Sequence, residues 1–288
     1  MKVGIFKVSS KLDYLTEYEK AVIKYLEINN HNIFLNKNLF TNLESNKYEE
    51  LTKISDIDVL FTIGGDGTLL RAIPFVKDSN VPILGINTGQ LGFLTSLNKE
   101  SLTKGLDMFF RKKFTLITRT LIELRTSPEI PEISFFPFAL NEVTVTRKNS
   151  TSMLNIQTKI NKRLLTTYWS DGLIISSPTG STGYSLSSGG PIISPDTNTF
   201  VLNPIAPHNI SIRPLIIPDN SKIDIIVSSR AKNHLISLDN RRFSIKNGYS
   251  ILISKAPFYI NTIQLDGDDF FMTLRDKLFW GLDKRNRQ

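Results

Sequence analysis

The stretch "DVLFTIGGDGTLLRA", residues 58–72, decides how the chain is read. Val59–Ile63 is a continuous β-branched and aromatic run, the mark of a strand buried on both faces. Glycines around Asp66 follow, and Thr68–Phe75 then reads as a short helix stopped around Pro74. Strand, glycine turn and helix together hold phosphates in many proteins. Glycine lets the backbone approach the ligand, and the free N–H groups at a helix start favour negative charge. This stretch lacks the Lys and Ser/Thr ending of a P-loop, and it is not a G-x-G-x-x-G fingerprint. Gly64, Gly65 and Gly67 can cradle phosphate only if Asp66 does something else. An acid there repels an anion unless it binds Mg²⁺ or faces a hydroxyl that must lose a proton. A tight turn with an exposed acid is the plain alternative, and spacing alone does not choose between them.

Outward from this turn, strands alternate with helices, which predicts a mostly parallel sheet. Lys2–Val8, Ile33–Leu35 and Val81–Ile86 read as strands. Leu12–Asn29 places Leu15, Tyr18, Val22, Tyr25 and Leu26 at helical spacing, and Leu97–Lys113 reads as a helix with a basic end. The character changes near Phe114. Phe114–Thr126, Phe138–Val145, Met153–Ile160 and Leu164–Tyr168 read as strands, with a hairpin tip at Asn161 and Lys162. Leu173–Ser176, Ile223–Ser229, Leu235–Leu238, Phe243–Ile245 and Ile251–Lys255 continue an all-β pattern that predicts a sandwich. Asp268–Phe279 is amphipathic again. The expected division is therefore 1–113, an α/β Rossmann-like domain; 114–264, a β-sandwich; and 265–288, a segment returning to the first domain.

Composition narrows the class. Of 288 residues, 40% are hydrophobic and 22% charged, enough for an ordinary globular core. The chain has no cysteine, which excludes disulfides and thiolate metal sites. The first residues, "MKVGIFKVSS", lack the long apolar run of a signal peptide, so a cytoplasmic protein without a membrane segment is expected. A net charge of +8 suits nucleic acid or anionic small molecules. The basic clusters Arg111–Lys113, Arg241–Arg242 and Lys284–Arg287 are short and not interleaved with aromatics, so no nucleic-acid partner is expected.

A second stretch, "SDGLIISSPTGSTGYSLSSGGPI" from Ser170 to Ile192, runs from a strand into small hydroxyl-bearing residues and glycines. It offers many hydrogen bonds with little side-chain bulk, as suits a flat base and a ribose. A short helix is expected near Thr182–Ser188. A flexible Ser/Gly linker is the alternative reading, and the fixed Pro178 and Tyr184 disfavour it.

"GGDGT" resembles the signature shared by NAD kinases, by diacylglycerol and sphingosine lipid kinases and, in a near variant, by 6-phosphofructokinases. Ser170–Ile192 resembles the glycine-rich dinucleotide segment of bacterial NAD kinases nearly residue for residue. "GINTGQLGFLT", "ALNEVTVTR" and "NPIAPHNISIRPLIIPD" resemble further segments of that family, in order. The resemblance implies transfer of the γ-phosphoryl group of ATP to the 2′-hydroxyl of the adenosine ribose of NAD. By position it implies Asp66 as the proton acceptor, with Gly67 and Arg71 beside the phosphates and Phe93 bordering the dinucleotide. It implies Asn141 pairing with adenine, Glu142 accepting from ribose hydroxyls, and Asp171 on the nicotinamide side. Thr182, Gly183, Tyr184, Ser185, Leu186 and Ser187 match the segment contacting adenine and the dinucleotide, and Ala206 a backbone contact in the later loop. It also implies Mg²⁺ or another divalent cation held mainly through ATP phosphates, and a homodimer or homotetramer.

The sequence departs from the family at Trp169, where many members carry arginine, at Ser152 and at Gly183; Arg241 is a candidate for the missing cation. His208 lies in the later loop, while His31 and His234 read as structural. A lipid or sugar kinase of the same superfamily is the rival enzyme. A non-catalytic NAD(P)-binding sensor is the rival from another class, and the intact Asp66 disfavours it.

Overall fold

A computed structural model describes residues 1–8, 16–41, 47–89, 92–97, 101–148 and 152–279. Leu12–Leu15, Gln90, Leu91 and the Lys284–Arg287 cluster, all part of the readings above, lie outside the described residues. The chain divides into two compact units, Met1–Thr118 with Ile260–Gln288, and Arg119–Tyr259.

The first unit is built on a parallel sheet. β1 (Lys2–Phe6) pairs in parallel with β2 (Asn32–Leu35) on one side. A two-residue β3 (Glu49–Glu50) continues beyond β2. On its other side β1 pairs with β4 (Val59–Ile63), and β4 with β5 (Ile83–Ile86). Thr262, in the strand Ser250–Leu265, extends the order past Ile83. Every residue of β4 is buried, as its apolar run requires of a central strand. Phe61 and its neighbours each contribute about 1.5–3 kcal/mol by leaving water.

α1 (Glu17–Ile28) covers one face of this unit. Thr16 caps it: its side chain accepts from Glu19 N–H while Glu19 reaches back to the Thr16 N–H. Its apolar positions Tyr18, Val22, Ile23 and Leu26 are buried, matching the helical spacing of the sequence. A single turn, α2 (Lys37–Phe40), follows β2.

α3 (Asp66–Val76) corrects the reading at Pro74, which lies inside the helix rather than ending it. The last turn is closed by Lys77 N–H to the Ile73 carbonyl at 2.9 Å, and Lys77 then turns away with φ +49°. α4 (Leu102–Phe110) also begins later than its apolar periodicity suggests. Leu97 instead makes a parallel bridge to Ile86, and its carbonyl accepts the Asn87 N–H at 2.7 Å. β6 (Phe114–Ser127) starts in the first unit and runs into the second.

The second unit is a sandwich of two antiparallel sheets. Phe138–Val145, read as one strand, is interrupted: β7 (Phe138–Ala139) pairs with β6, and β8 (Glu142–Arg147) belongs to another sheet. Leu140 and Asn141 break the ladder because their N–H groups are taken by the Asp239 carboxylate. A single turn, α5 (Pro131–Ser134), lies between β6 and β7. β9 (Leu154–Ile160) and β10 (Arg163–Ser170) form the expected hairpin, with Asn161 and Lys162 both at positive φ in its tip.

β11 (Gly172–Ser176) sits between β8 and β12 (Thr199–Ile205), with α6 (Tyr184–Ser187) in the connection. β13 (Leu215–Pro218) flanks β12. β14 (Ile223–Ser228) pairs with β9 and with β17 (Ser250–Leu265), far longer than the expected Ile251–Lys255. β15 (Asn233–Leu238) and β16 (Arg241–Lys246) complete the sheet that carries β8.

Alternate residues of both sheets meet in one core. Leu154, Ile156, Ile223, Ile225 and Val227 come from one sheet; Val143, Val145, Leu173, Ile175, Phe200 and Leu202 come from the other. This period of two fixes the strand register, because a one-residue slip would turn each apolar set toward water. α7 (Phe270–Leu278) belongs to the first unit, capped by Asp269, whose carboxylate accepts the Met272 N–H at 2.6 Å.

Candidate active site

In the first unit the glycine turn is built around one carboxylate. Asp66 opens α3, with Gly65 as the residue before it. One carboxylate oxygen accepts the Phe93 N–H at 2.9 Å and the other the Leu94 N–H at 3.2 Å. Gly92 is needed for this approach, since a Cβ there would fall 1.6 Å from an Asp66 oxygen. The loop is held in turn by Thr95, whose hydroxyl accepts the Gly92 N–H at 2.7 Å and bonds to the Asn87 amide at 3.1 Å. Gly64, at φ +147°, packs against Thr68, a place where a side chain would clash.

Gly65 and Gly67 are different. A Cβ at either would meet nothing within 4 Å, and neither has a left-handed backbone. The fold itself does not require glycine at these positions, so their bareness leaves room beside the helix start for something outside the chain. Arg71 is exposed one turn further along α3. Phe93 is half-buried, its ring 6.4 Å from Phe270 and 5.4 Å from the Lys277 ammonium.

In the second unit, the chain from Leu140 to Glu142 wraps around Asp239. That carboxylate accepts three backbone N–H groups: Leu140 at 2.9 Å, Asn141 at 2.8 Å and Glu142 at 3.2 Å. Asp239 itself has φ +51°, at the turn between β15 and β16. Burial pushes its carboxyl up, while the three amides and Arg241 pull the other way. The Asn141 carbonyl accepts the Ser177 N–H at 2.9 Å, and Gly180 lies so close that a Cβ would be 2.0 Å from that oxygen. The backbone of the pair is fully engaged, so its side chains are left to project.

Glu142 is buried, and its carboxyl is pushed up to about 8. Desolvation is the main cause, the nearby Asp239 charge adds to it, and the Tyr184 N–H opposes it. One Glu142 oxygen and the Asn141 amide oxygen are buried without a hydrogen-bond partner among the described residues. A buried acceptor without a partner is costly and suits a ligand that donates. Gly183 lies against both residues: a Cβ would sit 3.0 Å from the Glu142 oxygen and 3.3 Å from the Asn141 amide nitrogen.

The remaining expected residues divide by exposure. Thr182 and Leu186 are half-buried, and Tyr184 and Ser187 exposed. Ser185 is fully buried, with Asn203 donating to its carbonyl at 2.9 Å and to its hydroxyl at 3.3 Å. Asp171 forms an ion pair with Arg147 at 2.9 Å, and its N–H reaches the Ile205 carbonyl at 3.0 Å. Ala206 follows, exposed and at φ +43°.

Arg241 is engaged within its own unit. Its guanidinium donates to the Phe136 and Phe138 carbonyls and lies 4.9 Å from the Phe136 ring. Of the histidines, His234 is buried with Nδ1 3.0 Å from the Asn247 side-chain oxygen, and burial lowers its pKa. His31 stacks on Phe110 at 4.1 Å. Asp239 and Asn203 are the supporting residues that sequence reasoning missed. The "LDN" turn and the polar Asn203 within an apolar strand were their only signals.

The first unit thus carries a glycine turn with a fixed acid, and the second an acid beside acceptors that have no partner among the described residues. Residues 12–114 match the ATP-NAD kinase N-terminal domain, and residues 140–265 the ATP-NAD kinase C-terminal domain. An NAD kinase of Flavobacterium psychrophilum is 50% identical over 246 residues, covering 84% of each chain. An NAD kinase of Christiangramia forsetii is 43% identical, covering 99% of this chain and 100% of its own. Yeast NADH kinase, solved in complex with NADH, shares the fold with a TM-score of 0.84 at 22% identity, over 100% of this chain and 90% of that one. An NAD kinase from Archaeoglobus fulgidus in complex with ATP superposes with a TM-score of 0.76 at 24% identity, over 97% and 99%. The chain belongs to the NAD kinase family, and is an enzyme of the kinase class.

Proposed function

We propose that Asp66 collects the proton of the adenosine 2′-hydroxyl of NAD as the γ-phosphoryl group of ATP is transferred to it, giving NADP and ADP. The observation that carries this assignment is the Asp66 carboxylate, fixed by the Phe93 and Leu94 amides beside two glycines that open onto free space. A carboxylate is a weak base toward an alcohol. Phosphoryl transfer, however, has a loose transition state, so the proton leaves late and positioning matters most. One backbone N–H holds each oxygen in place and leaves a lone pair on each for the hydroxyl.

In the same reading, the glycine turn and Arg71 meet the phosphates. Phe93 borders the dinucleotide, Asn141 pairs with adenine, and Glu142 receives the ribose hydroxyls. Asp171 and Ala206 serve the nicotinamide side, and the segment Thr182–Ser187 completes the contacts. Segments 1–113, 114–264 and 265–288 act as phosphate-loop domain, dinucleotide domain and returning segment. Mg²⁺ brought in with ATP would neutralise charge on the transferring phosphates. The ion would be carried mainly by ATP oxygens; among the described residues no cluster of three His, Cys, Asp or Glu could hold a metal. The protein works as a cytoplasmic homodimer or homotetramer, without membrane or nucleic acid. Among the described residues no helix is long and apolar enough to cross a bilayer.

The test is NADP formation from ATP, Mg²⁺ and NAD by the purified protein and by Asp66→Asn. The wild type forms NADP and the variant does so far more slowly. A wild-type preparation that forms none overturns the reaction, and an undiminished variant overturns the role of Asp66.

A further inference from the structure

The turn between β15 and β16 does more than reverse the chain. Asp239 holds a left-handed backbone there, at φ +51°, which glycine adopts without steric cost. What the acid adds is a carboxylate that accepts the N–H groups of Leu140, Asn141 and Glu142 at 2.9, 2.8 and 3.2 Å. Its own N–H donates to the Glu142 carbonyl at 3.0 Å. Ser177 takes the rest: its N–H donates to the Asn141 carbonyl at 2.9 Å, and its hydroxyl to the Leu140 carbonyl at 2.5 Å. Every backbone N–H and C=O of Leu140–Glu142 is thereby engaged, four of the six by Asp239.

The same carboxylate is a charge next to a second acid. Glu142 is buried, takes the Tyr184 N–H of α6, and keeps one oxygen with no partner among the described residues. The Asp239 charge faces it from the β15–β16 turn. Arg241 of β16 stands beside Asp239, with its guanidinium committed to the Phe136 and Phe138 carbonyls. Two carboxyls so placed do not both ionise readily. Desolvation raises both, but Asp239 has three amide donors against one for Glu142. The negative charge therefore settles on Asp239 and the proton on Glu142.

We propose that Asp239 is a positioning residue for the dinucleotide: it aims the Asn141 and Glu142 side chains through their backbone and, by holding the negative charge of the pair, makes binding at Glu142 release a proton. This rests on the reading in which Glu142 receives ribose hydroxyls. A hydroxyl that donates to the partnerless Glu142 oxygen stabilises the carboxylate form, so the proton held by Glu142 passes to solvent as the ligand enters. Affinity for NAD then rises with pH up to about 8, above which Glu142 is already ionised and no proton has to leave.

Calorimetric titration of the full chain with NAD near pH 7, in two buffers of different ionisation enthalpy, counts the proton. The wild type releases about one, Glu142→Gln none, and Asp239→Asn well under half of one, because Glu142 ionises earlier without the neighbouring charge. The wild-type Kd for NAD falls about tenfold between about pH 6.5 and about pH 9, and that of Glu142→Gln stays flat. In steady-state kinetics Asp239→Asn raises KM for NAD several-fold and leaves KM for ATP and kcat within about twofold. Asp239→Glu, which keeps the charge, restores proton release. Carboxyl NMR of the unsubstituted protein reads the same allocation should Asp239→Asn not fold: near pH 6, Asp239 is ionised and Glu142 protonated. No proton released by the wild type, an undiminished count in Asp239→Asn, or an ionised Glu142 near pH 6 overturns the proposal. NADP formation without proton release on binding removes this inference and leaves the kinase reading, whereas proton release by a protein that forms no NADP does the reverse.

Discussion

Asp66 and Glu142 carry the same functional group in opposite surroundings. Asp66 sits half-exposed at a helix start, gripped by two peptide N–H groups of a loop that a glycine lets come close. Glu142 is buried beside a second carboxyl and keeps an oxygen with no partner among the described residues. The first is held in place and keeps part of its surface in water. The second is stripped of water, so its uncharged form is favoured until a ligand supplies hydrogen bonds. One fold therefore holds one carboxyl fixed by peptide N–H groups and another desolvated beside a second acid.

The largest test of this contrast is at Asp66. Asp66→Asn should lower kcat by about 10²–10⁴-fold with a KM for NAD changed little, because the proton acceptor is lost while binding groups remain. A variant that loses affinity rather than turnover would make Asp66 a recognition group like Glu142.

The support beneath Glu142 comes next. Arg241→Ala strips donors from the Phe136 and Phe138 carbonyls and removes the cation beside Asp239. Denaturant unfolding should show a loss of about 2–4 kcal/mol. A loss near zero would mean that the turn around Asp239 holds without its cation.

Glu142 makes a pH prediction whose sign is fixed. Its folded-state carboxyl lies near 8 against an ordinary 4.5, so the folded protein holds a proton that the unfolded chain gives up. That contribution is fully present below pH 4.5 and is lost as pH rises through about 8. Glu142→Gln cannot ionise. It should therefore match the wild type near pH 4.5 and exceed it at pH 9 by about 2–4 kcal/mol, read from thermal melts at both pH values. Equal melting differences at both would show that Glu142 is charged in the empty site.

The smallest effect is expected at Gly183. A methyl group there meets the Glu142 oxygen at 3.0 Å, which a slight shift relieves. Gly183→Ala should change stability by less than about 1 kcal/mol, with the loss of backbone freedom offsetting part of the crowding.

Much of this was legible in the sequence where local rules decide the outcome. Val59–Ile63 reads as a buried strand from its apolar run alone, and the observed bounds are the same. The Asn161-Lys162 tip follows from turn chemistry. The misread elements are those governed by distant partners. Leu97 looks helical by spacing but is drawn into a bridge with Ile86. Phe138–Val145 looks like one strand but is cut where Asp239, about a hundred residues away, captures its amides. β12 escaped notice because Pro204 interrupts its strand pattern, although it pairs opposite Leu173. For the candidate site, "GGDGT" and "PTGSTGY" name the residues. The Asp239 carboxylate that shapes Leu140–Glu142 belongs to no motif, and only the folded chain brings it there.

The most direct measurement is the distance from the Asp66 carboxylate to the adenosine 2′-oxygen in a crystal structure with NAD and a non-transferable ATP analogue. The account predicts a hydrogen bond of about 2.6–3.2 Å. A sugar oxygen out of reach of Asp66 and pointed at another base would contradict it.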